Sequence, residues 1–164
     1  PRHMIAPKFD AHLSFESPVG NVNVFSLEDK VVFITMGQAP VGDAGRSKVL
    51  IEAKKQLLGY FKGKSHKLDF AVDLAGTDFQ RAVWAQIARL AWGETATYAD
   101  IAQAIGNPKA VRAVGGAVGA NPVPLVVGCH RVLGASKRIT GYSGGDGIPT
   151  KKWLLAHESI EFVD

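Results

Sequence analysis

The stretch PLVVGCHRVLG, residues 124–134, holds the only cysteine of the chain, Cys129, with His130 directly after it. A thiol becomes a nucleophile when a base removes its proton, and imidazole is the common base at neutral pH. Neighbouring side chains on extended backbone point to opposite faces, so a direct Cys129–His130 pair fits poorly. A bridging water or a small turn would let His130 take the proton. A carboxylate would then orient the imidazole. Glu158, in WLLAHES, is a candidate, and spacing does not choose it over Asp146 or Glu94. The competing reading is an inert core cysteine, because an apolar run precedes it.

The elements that must hold these groups begin with GTDFQRAVWAQIARLAWGET. Thr77 followed by Gln80 is a capping box, and Phe79, Val83, Trp84, Ile87 and Leu90 form one apolar face. That helix should stop near Gly93. Next, TYADIAQAIGNPKAVRAVGGAVGANPVP fits two short helices, Tyr98 to Ile105 and Lys109 to Val118. GNP supplies the turn and Pro108 the first turn of the second helix. Val111, Val114 and Val118 can face a core, while Lys109 and Arg112 share an outward face. Gly115, Gly116 and Gly119 each cost about 1 kcal/mol in a helix relative to alanine. Small residues there admit a close neighbour, either another helix or a nucleic-acid backbone.

Upstream the period changes. HLSFES and VNVFSL alternate, KVVFITM is a third apolar run, and Pro18, Gly20, Asn21, Glu28 and Asp29 mark turns. Val49, Leu50, Ala53, Leu57, Leu58 and Phe61 fall at helical spacing, with Gly63 near the end. KLDFAVDL reads as a strand or an extended linker. The expected fold class is α+β. A small α/β domain with an antiparallel sheet and a helix covers residues 4–75, and a mainly helical domain with a helix-turn-helix covers 76–164. Residues 1–3 of the opening PRHM read as a cloning remnant.

The chain has 164 residues, 19 basic and 15 acidic. From Thr97 to Lys152 seven basic residues face two acidic ones, a net +5, so the basic excess coincides with the cysteine region. That pattern fits an anionic partner or a solvated basic face. No apolar run reaches the roughly 18–20 residues of a membrane span. One cysteine makes no intrachain disulfide and no cysteine-rich zinc site, and it fits a reducing compartment.

The blocks GTDFQRAVW, TYADIA, GNPKAVRAVGGAVGANPVP, CHRV, GYSGG and KKWLLAHE, in order from Gly76 to Glu158, resemble the O6-alkylguanine-DNA alkyltransferases. The N-terminal part fits that family's smaller, variable domain only loosely. The resemblance implies direct-reversal DNA repair. The partner would be duplex DNA, bound from the minor groove through the helix-turn-helix, with the damaged guanine rotated out of the stack. Arg112 would fill the space left by the base, and Lys109, Ala110, Gly115 and Gly119 would lie against DNA. Tyr98 would donate toward guanine N3, and Asn121 would hold the turn before the active-site strand. Tyr142, Ser143 and Gly144 would close over the base, with the Ser143 amide at O6 and the carbonyls near Cys129 and Val132 accepting from the exocyclic amine. Cys129 would accept the alkyl group, activated through His130, a water and Glu158. The thioether formed has no carbonyl for water to attack, so each chain would act once. The resemblance further implies no cofactor and no metal, a monomer with cooperative DNA binding left open, and a cytoplasmic setting in bacteria or a nuclear one in eukaryotes. O4-alkylthymine is an open second substrate.

Gly128 departs from the family pattern, which has proline before the cysteine. Glycine frees the backbone and adds an N–H, at about 0.4–1 kcal/mol in stability. It stands as a natural variant, an engineered or disease-type lesion, or the mark of a relative with altered substrates. Rival functions are a non-catalytic sensor of alkylated DNA, a helix-turn-helix transcription regulator, and a cysteine hydrolase. Trp84, Trp92, Trp153 and His157 read as packing residues. Lys137 and Arg138 read as loop charges or phosphate contacts.

Overall fold

The N-terminal alternation folds as an antiparallel sheet in the order β1-β2-β3, from Ala11–Ser17, Gly20–Leu27 and Lys30–Met36. The structure, a computed structural model, describes residues 7–164; the expectation for residues 1–3 lies outside them. Glu28 and Asp29 both take positive φ, 49° and 61°, the geometry of a tight hairpin turn matching the twist of its strands. Helix α1, Lys48–Phe61, packs on this sheet through Val49, Leu50, Ala53 and Leu57. It ends at Gly63 (φ 73°), whose amide donates to Tyr60 O at 3.0 Å while Lys64 donates to Gly59 O at 2.9 Å. That pair of bonds is a Schellman cap. KLDFAVDL is extended and touches the sheet through one bridge, Val72 to Val31.

Helix α2, Asp78–Ala88, starts with the predicted capping box, and Val83, Trp84 and Ile87 are buried. It ends well before Gly93. The Glu94 carboxylate accepts from Ala91 N at 2.7 Å and Glu94 N donates to Ala91 O at 2.9 Å, closing a turn that contains Gly93. The strand β4, Ala96–Thr97, pairs in parallel with β5, Val132–Leu133. Helix α3, Tyr98–Ala104, carries its own capping box, Thr97 with Asp100. It closes with a second Schellman cap at Gly106, whose amide donates to Gln103 O while Asn107 donates to Ala102 O. Helix α4 spans Val111–Gly119, two residues later than expected at its start. Pro108 is therefore outside the helix. Ala110 N donates to Asn107 O at 2.9 Å, which puts Pro108 at the second position of a β-turn, where its fixed φ suits the chain. Val114 and Val118 are buried as expected, but Val111, in the first turn, is 39% exposed. Helix α5 is Ile148–His157.

The predicted boundary near residue 75 falls between the sheet region and α2, yet the largest buried cluster runs through both. It joins Val24, Ile34 and Tyr60 to Trp84, Val114, Cys129 and Leu154. Backbone ties reinforce the junction, as where Ile34 N donates to Pro122 O at 2.9 Å.

Candidate active site

Cys129 sits in a 3-10 turn, Cys129–Arg131, rather than on the strand that was expected. The turn exists because Gly128 (φ −74°, ψ 63°) centres an inverse γ-turn, with Cys129 N donating to Val127 O at 2.8 Å. Asn121 clamps the loop leading into it. Its Nδ2 donates to Val127 O at 2.8 Å and to Cys129 Sγ at 3.1 Å, and its Oδ1 accepts from Val123 N at 3.0 Å. Inside this loop Leu125 is buried at a φ of 78°, a left-handed conformation costly for a branched residue. Burial pushes the Cys129 thiol up to about 12; the Asn121 bond and the Lys151 charge pull the other way. The resting sulfur is a protonated thiol, so its reactivity must come from a base.

The candidate base and its candidate orienter are adjacent. His130 Nε2 lies 2.6 Å from Glu158 Oε2, and neither side chain is accessible to solvent. Geometry thus selects Glu158 over Glu94, which closes its own turn, and over Asp146, whose amide donates to Thr150 and whose carboxylate lies beside Gly37. Glu158 caps the C-terminal end of α5 and accepts five hydrogen bonds. Oε2 takes Tyr60 Oη at 2.7 Å, His130 Nε2 and Arg131 Nη2 at 3.0 Å; Oε1 takes Arg131 Nε at 2.8 Å and Gly93 N at 3.0 Å. Burial alone would raise this carboxyl, but the bonds from His130 and Arg131 overcome it and hold it far below the usual carboxylate range. Burial lowers His130, against the pull of Glu158. A neutral imidazole that donates from Nε2 leaves Nδ1 as a lone pair, and Nδ1 is buried with no partner among the described residues. That lone pair is free to take a proton, which the sequence reading asks of His130. No hydrogen bond links it to Sγ, so the thiol proton needs an intermediary.

Three residues of this site escaped the sequence reading. Arg131 donates twice to Glu158 and, from Nη1, to Leu90 O at 2.7 Å. Tyr60 reaches Glu158 from α1. Lys151, fully buried, donates from Nζ to Val132 O at 2.7 Å and Gly141 O at 3.4 Å, and burial draws it down to about 8. Its signal was present: Lys151 shares the apolar stripe of α5 with Leu154 and Leu155, at helical spacing.

Cys129 lines a cavity of about 240 Å³ with Asn121, Pro124, Val118, Tyr142 and Met36. Ser143 and Gly144 also face it, whereas Val132 lines neither this cavity nor its neighbour and its carbonyl already holds Lys151. A second cavity of about 430 Å³ adjoins α4, lined by Tyr98, Gly115, Gly116, Gly119 and Thr140. Val118, Tyr142 and Ser143 line both cavities. Tyr98 Oη bonds Thr140 Oγ1 at 2.7 Å, and Tyr142 Oη is buried without a partner. A Cβ placed at Gly115, Gly116 or Gly119 would meet nothing within 4 Å. Among the described residues no helix packs there, which argues against the helix-packing explanation and leaves an open face. A Cβ at Gly144 would instead strike the Tyr142 ring at 2.8 Å. Arg112 and Lys109 are exposed, and Ala110, half-buried, precedes α4. Lys137 and Arg138 are exposed, and Arg138 Nη1 donates to Asp164 O at 3.1 Å. His157 Nε2 donates to Tyr60 O at 2.6 Å, a packing role as expected.

Residues 78–160 match the family model of the 6-O-methylguanine DNA methyltransferase DNA-binding domain. The methylated-DNA–protein-cysteine methyltransferase of Methanosarcina acetivorans is 37% identical over 150 residues, covering 88% of this chain and 95% of its own. The constitutive enzyme of that name from Bacillus subtilis is 37% identical over 158 residues, covering 91% and 95%. Among solved structures, Mycobacterium tuberculosis OGT in complex with DNA superposes with a TM-score of 0.79 at 37% identity, covering 90% of this chain and 92% of that one. The agreement extends through the N-terminal segment as well as the thiol site, and the chain belongs to the methylated-DNA–protein-cysteine methyltransferase family.

Proposed function

We propose that the protein repairs duplex DNA by moving the alkyl group of O6-alkylguanine onto Cys129, once per chain. The observation that carries this is the pairing of a thiol that lines a cavity with a buried imidazole whose free nitrogen has no other use. A base held within the duplex cannot reach a recessed sulfur, so the guanine must leave the stack. The open glycine face of α4, with Arg112 and Lys109 exposed on the same helix-turn unit, supports contact with the DNA backbone. The extruded base would enter beside Tyr98, and Tyr142 and Ser143 would shift to join the two cavities. The thiol proton passes through a water to His130 Nδ1. The Cys129 sulfur attacks the alkyl carbon, the S–C bond forms, the C–O6 bond breaks, and the departing guanine takes a proton at N3 from Tyr98. Lys151 adds positive charge near the developing thiolate. The resulting thioether has no route back to the thiol.

Damage specificity and a monomeric complex are part of this proposal. Titration of a methylated duplex with increasing protein tests it: repaired lesions should plateau at one per chain. Multiple turnovers, or binding without repair, would defeat it. The sensor and regulator alternatives have no observation in their favour, and the thiol is retained.

A further inference from the structure

Glu158 Oε2 is over-subscribed. A carboxylate oxygen offers about two lone-pair directions, and three donors converge on this one: Tyr60 Oη at 2.7 Å, His130 Nε2 at 2.6 Å and Arg131 Nη2 at 3.0 Å. Two of the donors come from the turn that carries Cys129. The third arrives from α1, 98 residues away in sequence. Tyr60 is held there from all sides. It is 1% exposed, its ring meets Trp92 and His157 edge-on at 5.3 Å, and its carbonyl accepts from His157 at 2.6 Å. Nothing about the fold requires this phenol to end on a carboxylate, since a phenylalanine would fill the same space.

We infer that Tyr60 is a positioning residue for alkyl transfer: its phenol competes with His130 for Glu158 Oε2 and so limits how strongly the carboxylate draws on the imidazole. The inference rests on the reading of His130 as the base. The N-terminal segment thereby acts on a reaction whose alkyl acceptor, base and orienting carboxylate all lie beyond residue 90.

The sign follows from the surroundings of His130. Glu158, at the end of α5, favours the imidazolium, while Arg131 on the same turn and Lys151 on α5 disfavour it, and burial disfavours it most. Cys129 precedes it, and Tyr142, on the loop before α5, faces both Cys129 and Glu158. Removing the phenol leaves more of the Oε2 charge to His130, which stabilises the imidazolium. Alkyl transfer needs the neutral ring, so the acid limb of the rate must move to higher pH.

The test uses the full chain with a duplex containing O6-methylguanine, under single-turnover conditions across pH. For Tyr60→Phe the acid limb should move up by about one pH unit, the order expected for losing one charge-assisted hydrogen bond. Affinity for undamaged duplex and the final yield of one methyl per chain should be unchanged. A fluorinated tyrosine placed at position 60 alone, a stronger donor, should move the limb down; it decides the matter if Tyr60→Phe does not fold. A limb that stays in place or moves the other way overturns the inference, even if the rate falls uniformly. Failure of the parent chain to take up methyl would instead defeat the proposed function, so the two failures are separable.

Discussion

The two sides of Cys129 are built on opposite rules. Behind the sulfur, one buried carboxylate accepts five hydrogen bonds from four residues, and each donor is fixed by packing. In front of it, three glycines of α4 face open space, Tyr142 keeps a buried hydroxyl without a partner among the described residues, and two cavities share a wall. A saturated network has little freedom and holds a proton acceptor in one tautomer. An underfilled face leaves its shape adjustable. The contrast teaches that, on the proposed reading, the chemistry is preorganised while the space for the base is shaped on binding.

The largest expected effect lies behind the sulfur. Glu158→Gln leaves Arg131 without its counter-charge, at about 3–5 kcal/mol of stability. It should also slow alkyl transfer on the order of 100-fold through the loss of base orientation. Denaturant midpoints and single-turnover rates check the two effects. If the variant is as stable as the parent, the saturated side is not what holds the turn.

Acid should act on the same side. The folded pKa values of Glu158 and His130 both lie below their ordinary 4.5 and 6.5, so each contributes stability that is complete above those values. That stability is lost as pH falls through the folded values, because the unfolded chain binds the protons first. Urea midpoints should therefore fall steadily below pH 6.5, and in Glu158→Gln the part of the fall below about pH 4.5, which belongs to the carboxyl, should shrink. Asn121→Ala comes next. It frees Val127 O and the sulfur at about 1–3 kcal/mol, and it should slow transfer without weakening DNA binding, which electrophoretic titration would show.

The open side should respond with the opposite sign. Gly115→Ala meets no neighbour and improves helix propensity, so stability should rise by about 0.5–1 kcal/mol. Affinity for duplex DNA should drop if the face is where the backbone approaches. Gly128→Pro is the smallest change. Its φ of −74° already suits proline, and about 0.4–1 kcal/mol of stability should follow. A Cβ there approaches Arg131 Nη1 at 3.0 Å, which offsets part of that gain. Transfer should be faster with proline, whose fixed φ holds the turn before Cys129 more firmly; a faster rate with glycine would contradict that expectation.

Local rules made much of this legible. The Thr77–Gln80 box, the hairpin turn at Glu28–Asp29 and the glycine at the end of α1 are short-range chemistry, and the sequence shows them directly. Cys129 and His130 are adjacent and legible directly, Asn121 comes only through the family resemblance, and Glu158 is one of three candidate carboxylates. Apart from Arg131, next to His130, what escaped was long-range. Tyr60 and Gly93 converge on one carboxylate from segments with no shared pattern, and Lys151 looked like one more basic residue until burial singled it out. The overrun of α2 and the early start given to α4 share another cause. Glu94 and Asn107 accept backbone amides and form turns that helical spacing alone does not reveal.

The central claim is tested most directly by mass. After incubation with excess duplex carrying O6-methylguanine, the chain should gain one methyl group, and peptide mapping should place it on Cys129, with Cys129→Ser unmodified but still able to bind DNA. A chain that stays at its original mass, or carries the methyl elsewhere, would contradict the account.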